Sequence, residues 1–356
     1  MEDMKNGIPR ILIVRLSAIG DVVRVLPALH SIRDAHPHAQ IDWAVEAKSR
    51  GVVEGHPCLD DILVFERPAE RKAAARAFWQ FVNMVRARRY EVVLDFHGIF
   101  KSGLLVWRSG ARDRYGFARP RGREGSSIFL NRRLRLPDQV MNRVEENLAL
   151  CREFGVTGRR LDVQVAVPPD IEREVGEYFE RSFDGGKRLV AVHAPVDRPE
   201  KQWPLAHYAE LVELLMSDGR FEVLLTWGPG QLEMARQIAG MTRRNPEVAP
   251  ETPTLKHLAA LLGHTDLFFG GDTGPMHIAA ALGTPVVAVF GGTNPAQHQP
   301  VRGPAEVLYQ GPEKRGRRVS LEEARRYLEA VTPDMAYEAC LRIAAIPRST
   351  WNMDTG

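Results

Sequence analysis

Short runs of consecutive apolar residues recur along the chain, separated by longer stretches whose apolar positions repeat every three to four residues. Ile11–Val14, Ile41–Val45, Ile62–Phe65 and Val92–Phe96 are runs of the first kind. They are too short for helices and read as strands covered on both faces of a parallel sheet. Between and after them, Val22–Ala35, Ala73–Arg88, a segment near Lys101–Trp107 and Gln139–Phe154 carry helical periodicity. Val163–Pro169 reads as extended, and Pro168-Pro169 breaks regular structure. The same grammar then restarts. Strands are expected at Arg188–Val192, Glu222–Thr226, Leu267–Phe269 and Pro285–Phe290. Helices are expected at Pro204–Ser217, from the Trp227–Gly230 turn to about Met241, at Leu255–Gly263, around His277–Leu282 and at Asp334–Ala345. Strands alternating with helices predict two doubly wound, Rossmann-like α/β domains. The boundaries fall at 1–165 and 170–330, with a C-terminal helix and tail over 331–356. Such sheets bind ligands outside the carboxyl ends of their strands, so the cleft between two of them is the expected active site.

Bulk properties narrow the class without naming it. A chain of 356 residues exceeds what one core usually holds, and 44% hydrophobic with 26% charged residues suits a folded protein. Cys58, Cys151 and Cys340 are scattered and odd in number, which argues against a disulfide framework or a metal spacing and for a reducing compartment. No apolar run reaches the ~18 residues of a membrane span, and Met1–Arg10 lacks a signal-peptide pattern. A cytoplasmic protein is expected. The net charge of +3 is unevenly placed, since Lys101 to Arg135 holds ten Lys/Arg against Asp113 and Glu124. That patch would draw an anionic partner, or it is a solvated loop and helix face.

Four segments carry chemistry. Arg15-Leu16-Ser17-Ala18-Ile19-Gly20-Asp21 joins the first strand to its helix. Asp21 there is either an N-cap or a general base for a hydroxyl, and the Gly-x-Gly-x-x-Gly fingerprint of nicotinamide enzymes is absent. Gly270-Gly271-Asp272-Thr273-Gly274-Pro275-Met276-His277 ends a strand, turns on glycines and starts a helix with proline in its first turn. Free N–H groups after Thr273 and Gly274 suit a phosphate. Thr273 adds a hydroxyl and His277 a further donor. Asp272 would repel a phosphate and reads as a cap or a sugar contact. Glu200-Lys201-Gln202-Trp203-Pro204 follows the first strand of the second half, where Lys201 either neutralises a diphosphate or is exposed. Trp227-Gly228-Pro229-Gly230-Gln231 is a tight turn suited to a base or ribose.

In this order the segments resemble glycosyltransferase family 9, the bacterial heptosyltransferases. The matching stretches are Ile13–Pro27, Asp95–Ser102, His193–Pro204, Gly228–Gln231 and Gly271–Pro295; Asp95–Leu105 and the Arg-rich run look most like the heptosyltransferase I branch. The resemblance implies a GT-B fold, two Rossmann-like domains facing across a cleft. It implies an inverting transfer of L-glycero-D-manno-heptose from ADP-heptose to Kdo of the lipid A–bearing lipopolysaccharide core. Asp21 matches the base; Lys201, Gln231, Asp272, Thr273, Gly274 and His277 match the donor site. Lys101, Arg121 and Arg123 become candidates for the anionic glycolipid acceptor. No cofactor or tightly held metal is implied, no nucleic-acid partner is expected, and contact with the inner membrane surface would be peripheral, by charge. Pro195-Val196 stand where the heptosyltransferase I branch has two threonines, and Gln231 where the family often has glutamate. Both departures touch the donor, so a family-9 transferase with another nucleotide sugar or a non-lipopolysaccharide acceptor is the alternative.

Overall fold

The protein is described from a computed structural model covering residues 9–161, 163, 165–312 and 319–347. The polar segment before Pro9, part of the extended stretch before Pro168 and the tail after Pro347 lie outside the described residues. The chain divides into two compact units, Met1–Ala166 and Val167–Gly356.

The first unit is built on a parallel sheet of β1 (Arg10–Val14), β2 (Gln40–Glu46), β3 (Asp61–Phe65), β4 (Val92–Asp95), β5 (Asp113–Phe117) and β6 (Arg132–Leu134), in the order β3-β2-β1-β4-β5-β6. Each crossover is helical or irregular, and the order reverses between β1 and β4. A doubly wound sheet leaves its binding crevice at such a reversal. Leu12, Val14, Val93 and Leu94 of these two strands are fully buried. Burying each such side chain contributes roughly 1.5–3 kcal/mol. Trp43 is also fully buried, and its indole donates to the carbonyl of Arg15 at 3.1 Å, fixing the start of the loop after β1.

The second unit repeats the plan. Its strands are β7 (Arg188–His193), β8 (Phe221–Thr226), β9 (Glu247–Val248), β10 (Leu267–Gly271), β11 (Val286–Val289) and β12 (Ala305–Leu308), in the order β12-β11-β10-β7-β8-β9. The reversal lies between β7 and β10. Trp203, Tyr208 and Phe269 fill the core beneath them, with ring centroids 4.8–5.9 Å apart in tilted and edge-on contacts. The last helix, Pro333–Ala344, packs on the same core through Ala336, Ala339 and Cys340.

Several expected elements differ. The helix over Val22–Ala35 is two helices, Ile19–Val23 and Leu26–Ala35, broken at Arg24-Val25. Pro168-Pro169 does not end order: Pro168 is the cap residue and Pro169 the first residue of a helix running to Ser182. Proline has no N–H to lose there and its fixed φ suits a first turn. The basic stretch to Arg135, open between a partner patch and a solvated loop and helix face, contains β5 and β6.

Candidate functional site

In the first unit the loops leaving β1 and β4 meet through Arg15. Ala18, extended at φ −85 and ψ 179, caps the helix Ile19–Val23 without a side-chain bond. Asp21 is therefore not the cap; it sits inside the first turn. Its carboxylate is paired to both Arg15 and Arg24, and its side chain is 33% exposed while theirs are 7% and 9%. Two buried guanidiniums thus hold the carboxylate in one orientation, in a side chain that is one-third exposed. Arg15 also donates to the carbonyl of Phe96 at 2.7 Å.

The loop after β4 is organised by Asp95. Its buried carboxylate accepts from the N–H groups of His97 (3.0 Å) and Gly98 (3.1 Å) and from the Ser102 hydroxyl (2.9 Å). Burial pushes the Asp95 pKa up. The Leu16 N–H donates to Nδ1 of His97 at 3.2 Å, so the proton of the neutral ring sits on Nε2. Burial, then the charge of Arg15, drives the His97 pKa down to about 3. Arg15 and His97 are the two residues that sequence reasoning left out of the site; the His97-Gly98 pair directly after a strand was the available signal.

The acceptor candidates separate into two kinds. Arg121 is largely buried, pairs with Glu146 at 2.7 Å and reaches the carbonyls of Phe96 (3.3 Å) and His97 (3.4 Å). It shares the Phe96 carbonyl with Arg15, which links it to Asp21. Burial, with the nearby charges of Arg143 and Arg15, lowers its pKa to about 10. Lys101 pairs with Glu46 and lies 5.2 Å from the centre of the Phe65 ring. Arg123 is exposed, and its N–H holds the Gly98 carbonyl at 2.8 Å. Next to Glu146 on the helix Arg143–Glu153, Asn147 donates to the carbonyl of Arg24 at 2.9 Å.

In the second unit the loops leaving β7 and β10 meet just as closely. A Cβ on Gly270 would lie 2.8 Å from the His193 carbonyl, and one on Gly271 would lie 3.3 Å from that of Lys201. These glycines let the 194–204 loop lie against the end of β10. Trp203 anchors that loop by donating to Val331 at 2.9 Å, and Gln202 donates to Ala194 at 3.1 Å. Lys201 is consequently not a solvated lysine. Its ammonium donates to both the carboxylate and the carbonyl of Asp272, each at 2.7 Å, and its side chain is 18% exposed. His277 places Nε2 3.4 Å from the other carboxylate oxygen. Burial raises the Asp272 pKa, but His277 and the charge of Lys201 outweigh it and hold the carboxyl well below its ordinary value.

Asp272, 3% exposed, is not the helix cap either. Thr273 is, in extended backbone at φ −134 and ψ 170, and it opens the helix Gly274–Leu282 with proline in its first turn. The awkward anion is neutralised from two sides, so the N–H groups of Gly274 and Met276 keep their attraction for a negative group. Gln231 lies apart from this cluster, at the end of the turn after β8, where its side-chain oxygen accepts from Gly228 N–H at 3.0 Å. The indole of Trp227 donates to Ala249 at 2.8 Å and fixes the start of that turn.

Among the described residues, His30, His56 and Cys58 form one group of metal-type donors, their ligand atoms within 4.8 Å of one another. The Nε2 atoms of the two histidines are 3.2 Å apart, and Cys58 N–H donates to Nδ1 of His56 at 3.2 Å. That bond leaves the His56 proton on Nε2, directed at His30. A ligating imidazole needs the reverse arrangement, a bare nitrogen toward the ion and N–H toward an acceptor.

Comparison with known proteins places this geometry. The model of glycosyltransferase family 9 (heptosyltransferase) matches residues 78–325. Lipopolysaccharide heptosyltransferase 1 of Escherichia coli K12 is 30% identical over 305 residues, 80% of this chain and 89% of that protein. The lipopolysaccharide core heptosyltransferase OpsX of Haemophilus influenzae is 25% identical over 290 residues, 81% and 80% of the two chains. Among solved structures, a family 9 glycosyl transferase from Veillonella parvula superposes with a TM-score of 0.82 at 22% identity, covering 96% of this chain and 98% of that one. The E. coli heptosyltransferase WaaC with ADP gives 0.64 at 26% identity, covering 92% and 99%. Two doubly wound sheets in one chain with these likenesses are the GT-B fold.

Proposed function

The chain belongs to glycosyltransferase family 9, and from that membership we propose that it transfers L-glycero-D-manno-heptose from ADP-heptose to Kdo of the lipopolysaccharide inner core on lipid A. The observation that carries the donor half is the Lys201–Asp272–His277 cluster at the mouth of the helix Gly274–Leu282, at the strand-order reversal of the second sheet. A diphosphate set there meets the N–H groups of the helix start, the Thr273 hydroxyl and the ammonium of Lys201. Gln231 takes the ribose. Charge that builds on the leaving ADP is stabilised by groups already oriented before reaction.

Inversion is a single displacement. The acceptor hydroxyl attacks the anomeric carbon as the bond to the diphosphate breaks, and Asp21 takes the hydroxyl proton. A positioned base contributes ~10²–10⁴-fold. The two arginines on Asp21 hold its carboxylate in one orientation; Arg123, together with Lys101 and Arg121, meets the carboxylates and phosphates of the acceptor. The enzyme works at the cytoplasmic face of the inner membrane, where such an acceptor is held; no helix of the described residues is long and apolar enough to cross that membrane.

The test is release of ADP from purified enzyme with a Kdo-lipid A acceptor, across ADP-heptose, ADP-glucose and UDP- and GDP-sugars. The reading expects turnover with ADP-heptose alone, and its loss in Asp21→Asn with donor affinity retained. Preference for another nucleotide overturns the donor assignment, and near-normal turnover in Asp21→Asn overturns the base.

A further inference from the structure

A second surface of the first unit stands out once the candidate site is set aside. Trp79 (43% exposed), Phe100 (47%), Trp107 (47%) and Ile128 (67%) are large apolar side chains left in contact with solvent. They are contiguous. The guanidinium of Arg108 lies 5.2 Å from the Trp79 ring and 4.8 Å from the Trp107 ring. The Phe129 ring is 6.1 Å from Trp107 and 5.3 Å from Phe100, and Ile128 precedes it in the turn Ser126–Phe129. Three elements therefore share one face: the helices Arg71–Ala87 and Phe100–Arg108 and this turn.

Their charge is one-sided. The three elements contain Arg71, Lys72, Arg76, Arg86 and Arg108 and no Asp or Glu, while Lys101 is taken up by Glu46 and the Glu124 carboxylate accepts from the Phe100 N–H at 3.3 Å. Lys72, Arg76, Trp79 and Arg86 recur at helical spacing, so they form one exposed stripe, with cations on both sides of the indole. A patch of large apolar rings on a soluble surface marks a binding face. Protein partners would not ask for so many like charges around it. Tryptophan with arginine is the pairing that suits the boundary between lipid headgroups and acyl chains.

We infer that this face docks the enzyme on an anionic bilayer, with Trp79, Trp107, Phe100 and Ile128 entering the headgroup region and the surrounding Lys and Arg holding lipid phosphates. The inference deepens the proposed reaction, whose acceptor is itself a membrane lipid, and it replaces contact by charge alone with charge plus inserted rings. Each cation near a charged surface is worth roughly a fivefold change in partitioning, and loss of one inserted ring is worth about tenfold or more.

Sedimentation with phosphatidylcholine vesicles containing roughly 30% phosphatidylglycerol, at about 0.15 M salt, tests it without donor or acceptor. Parent protein should bind these vesicles and not pure phosphatidylcholine. Ile128→Glu and Trp107→Glu should each cut the partition coefficient at least tenfold. Both should keep parent turnover on a deacylated, water-soluble acceptor, which shows that they fold and separates this result from the donor assignment. Parent-like vesicle binding in both variants overturns the inference. So does a parent that ignores anionic vesicles, including one that instead self-associates through this face.

Discussion

Asp272→Asn removes one charge from a buried cluster and changes almost no volume. In the parent, the 3%-exposed carboxylate is met by Lys201 at 2.7 Å and His277 at 3.4 Å. Removing one partner of a buried ion pair costs ~3–5 kcal/mol, because the other charge is left behind. The lower end applies here. Lys201 keeps its second bond, to the Asp272 carbonyl, and 18% of its side chain reaches water. Taking about 3 kcal/mol, and about 2–4 °C per kcal/mol for a unit of this size, the melting temperature should fall by roughly 6–12 °C. Lys201→Met together with Asp272→Asn removes both charges and should recover at least half of that loss. Scanning calorimetry gives all three values. The pH dependence follows from the depressed pKa of Asp272. A carboxyl held below its unfolded value of ~3.9 lends stability that is present above that pH and lost as pH falls through the folded value. The gap between parent and Asp272→Asn should therefore close below about pH 4. An Asp272→Asn melting point within 1–2 °C of the parent at neutral pH (roughly a fifth of the expected drop) would refute the reasoning, as would a double variant that loses the sum of the single losses.

Other outcomes follow from the same geometry. The carbon-bound proton signals of the His97 and His193 rings should not titrate between pH 8 and about 5, since burial lowers their pKa values to about 3 and about 4; a midpoint above pH 6 in either would show a wetter loop. Because the unfolded rings bind protons first, near ~6.5, both residues make stability fall as pH drops below that value, and His97→Gln should flatten part of the slope in urea titrations. Gly270→Ala puts a methyl group 2.8 Å from the His193 carbonyl and 3.0 Å from the Phe268 ring. It should cost about 1–3 kcal/mol by overpacking, and an unchanged urea midpoint would contradict the close approach. Arg123→Gln should leave the melting temperature unchanged and raise the acceptor KM several-fold without altering the donor KM. Arg121→Gln, which leaves the buried Glu146 to Arg143 alone and removes the bonds to the Phe96 and His97 carbonyls, should instead unfold at a lower temperature; equal stability in the two variants would undo the distinction.

What the sequence made legible follows from how each element is covered. β1, β4, β7 and β10 lie in the middle of their sheets, so both faces are buried and their apolar runs stand out. The unrecognised strands sit at or beside the margins: β6, β9 and β12 are edges, and β5 lies next to one. Asp113-Arg114-Tyr115 are only half-buried and Arg132-Arg133 are exposed on those margins, which weakens the signal that burial would write. In the site, the turn of glycines into a proline-started helix was readable because it is local. The partners of Asp272 and Asp21 were not. Lys201 is 71 positions from Asp272, and the Arg15 that orients Asp21 is placed through the Phe96 carbonyl, 81 positions on. A cap was one reading of each acid from local preference, whereas charged partners claim both: the distant Lys201 for Asp272, and the nearby Arg15 and Arg24 for Asp21.

Glu146 and Asn147 are neighbours on the helix that closes the first unit, and each holds one side of the candidate site. Glu146 fixes Arg121 under the loop after β4, and Asn147 fixes the carbonyl of Arg24 beside Asp21. During synthesis the central strands and both loops emerge well before this helix. A nascent chain stopped near residue 140 would already hold Arg15, Asp21, Arg24 and Arg121, yet lack the two contacts that set them in place. Completion of this half-site is thus timed by the last helix of the first unit to arrive, before any residue of the second unit is made.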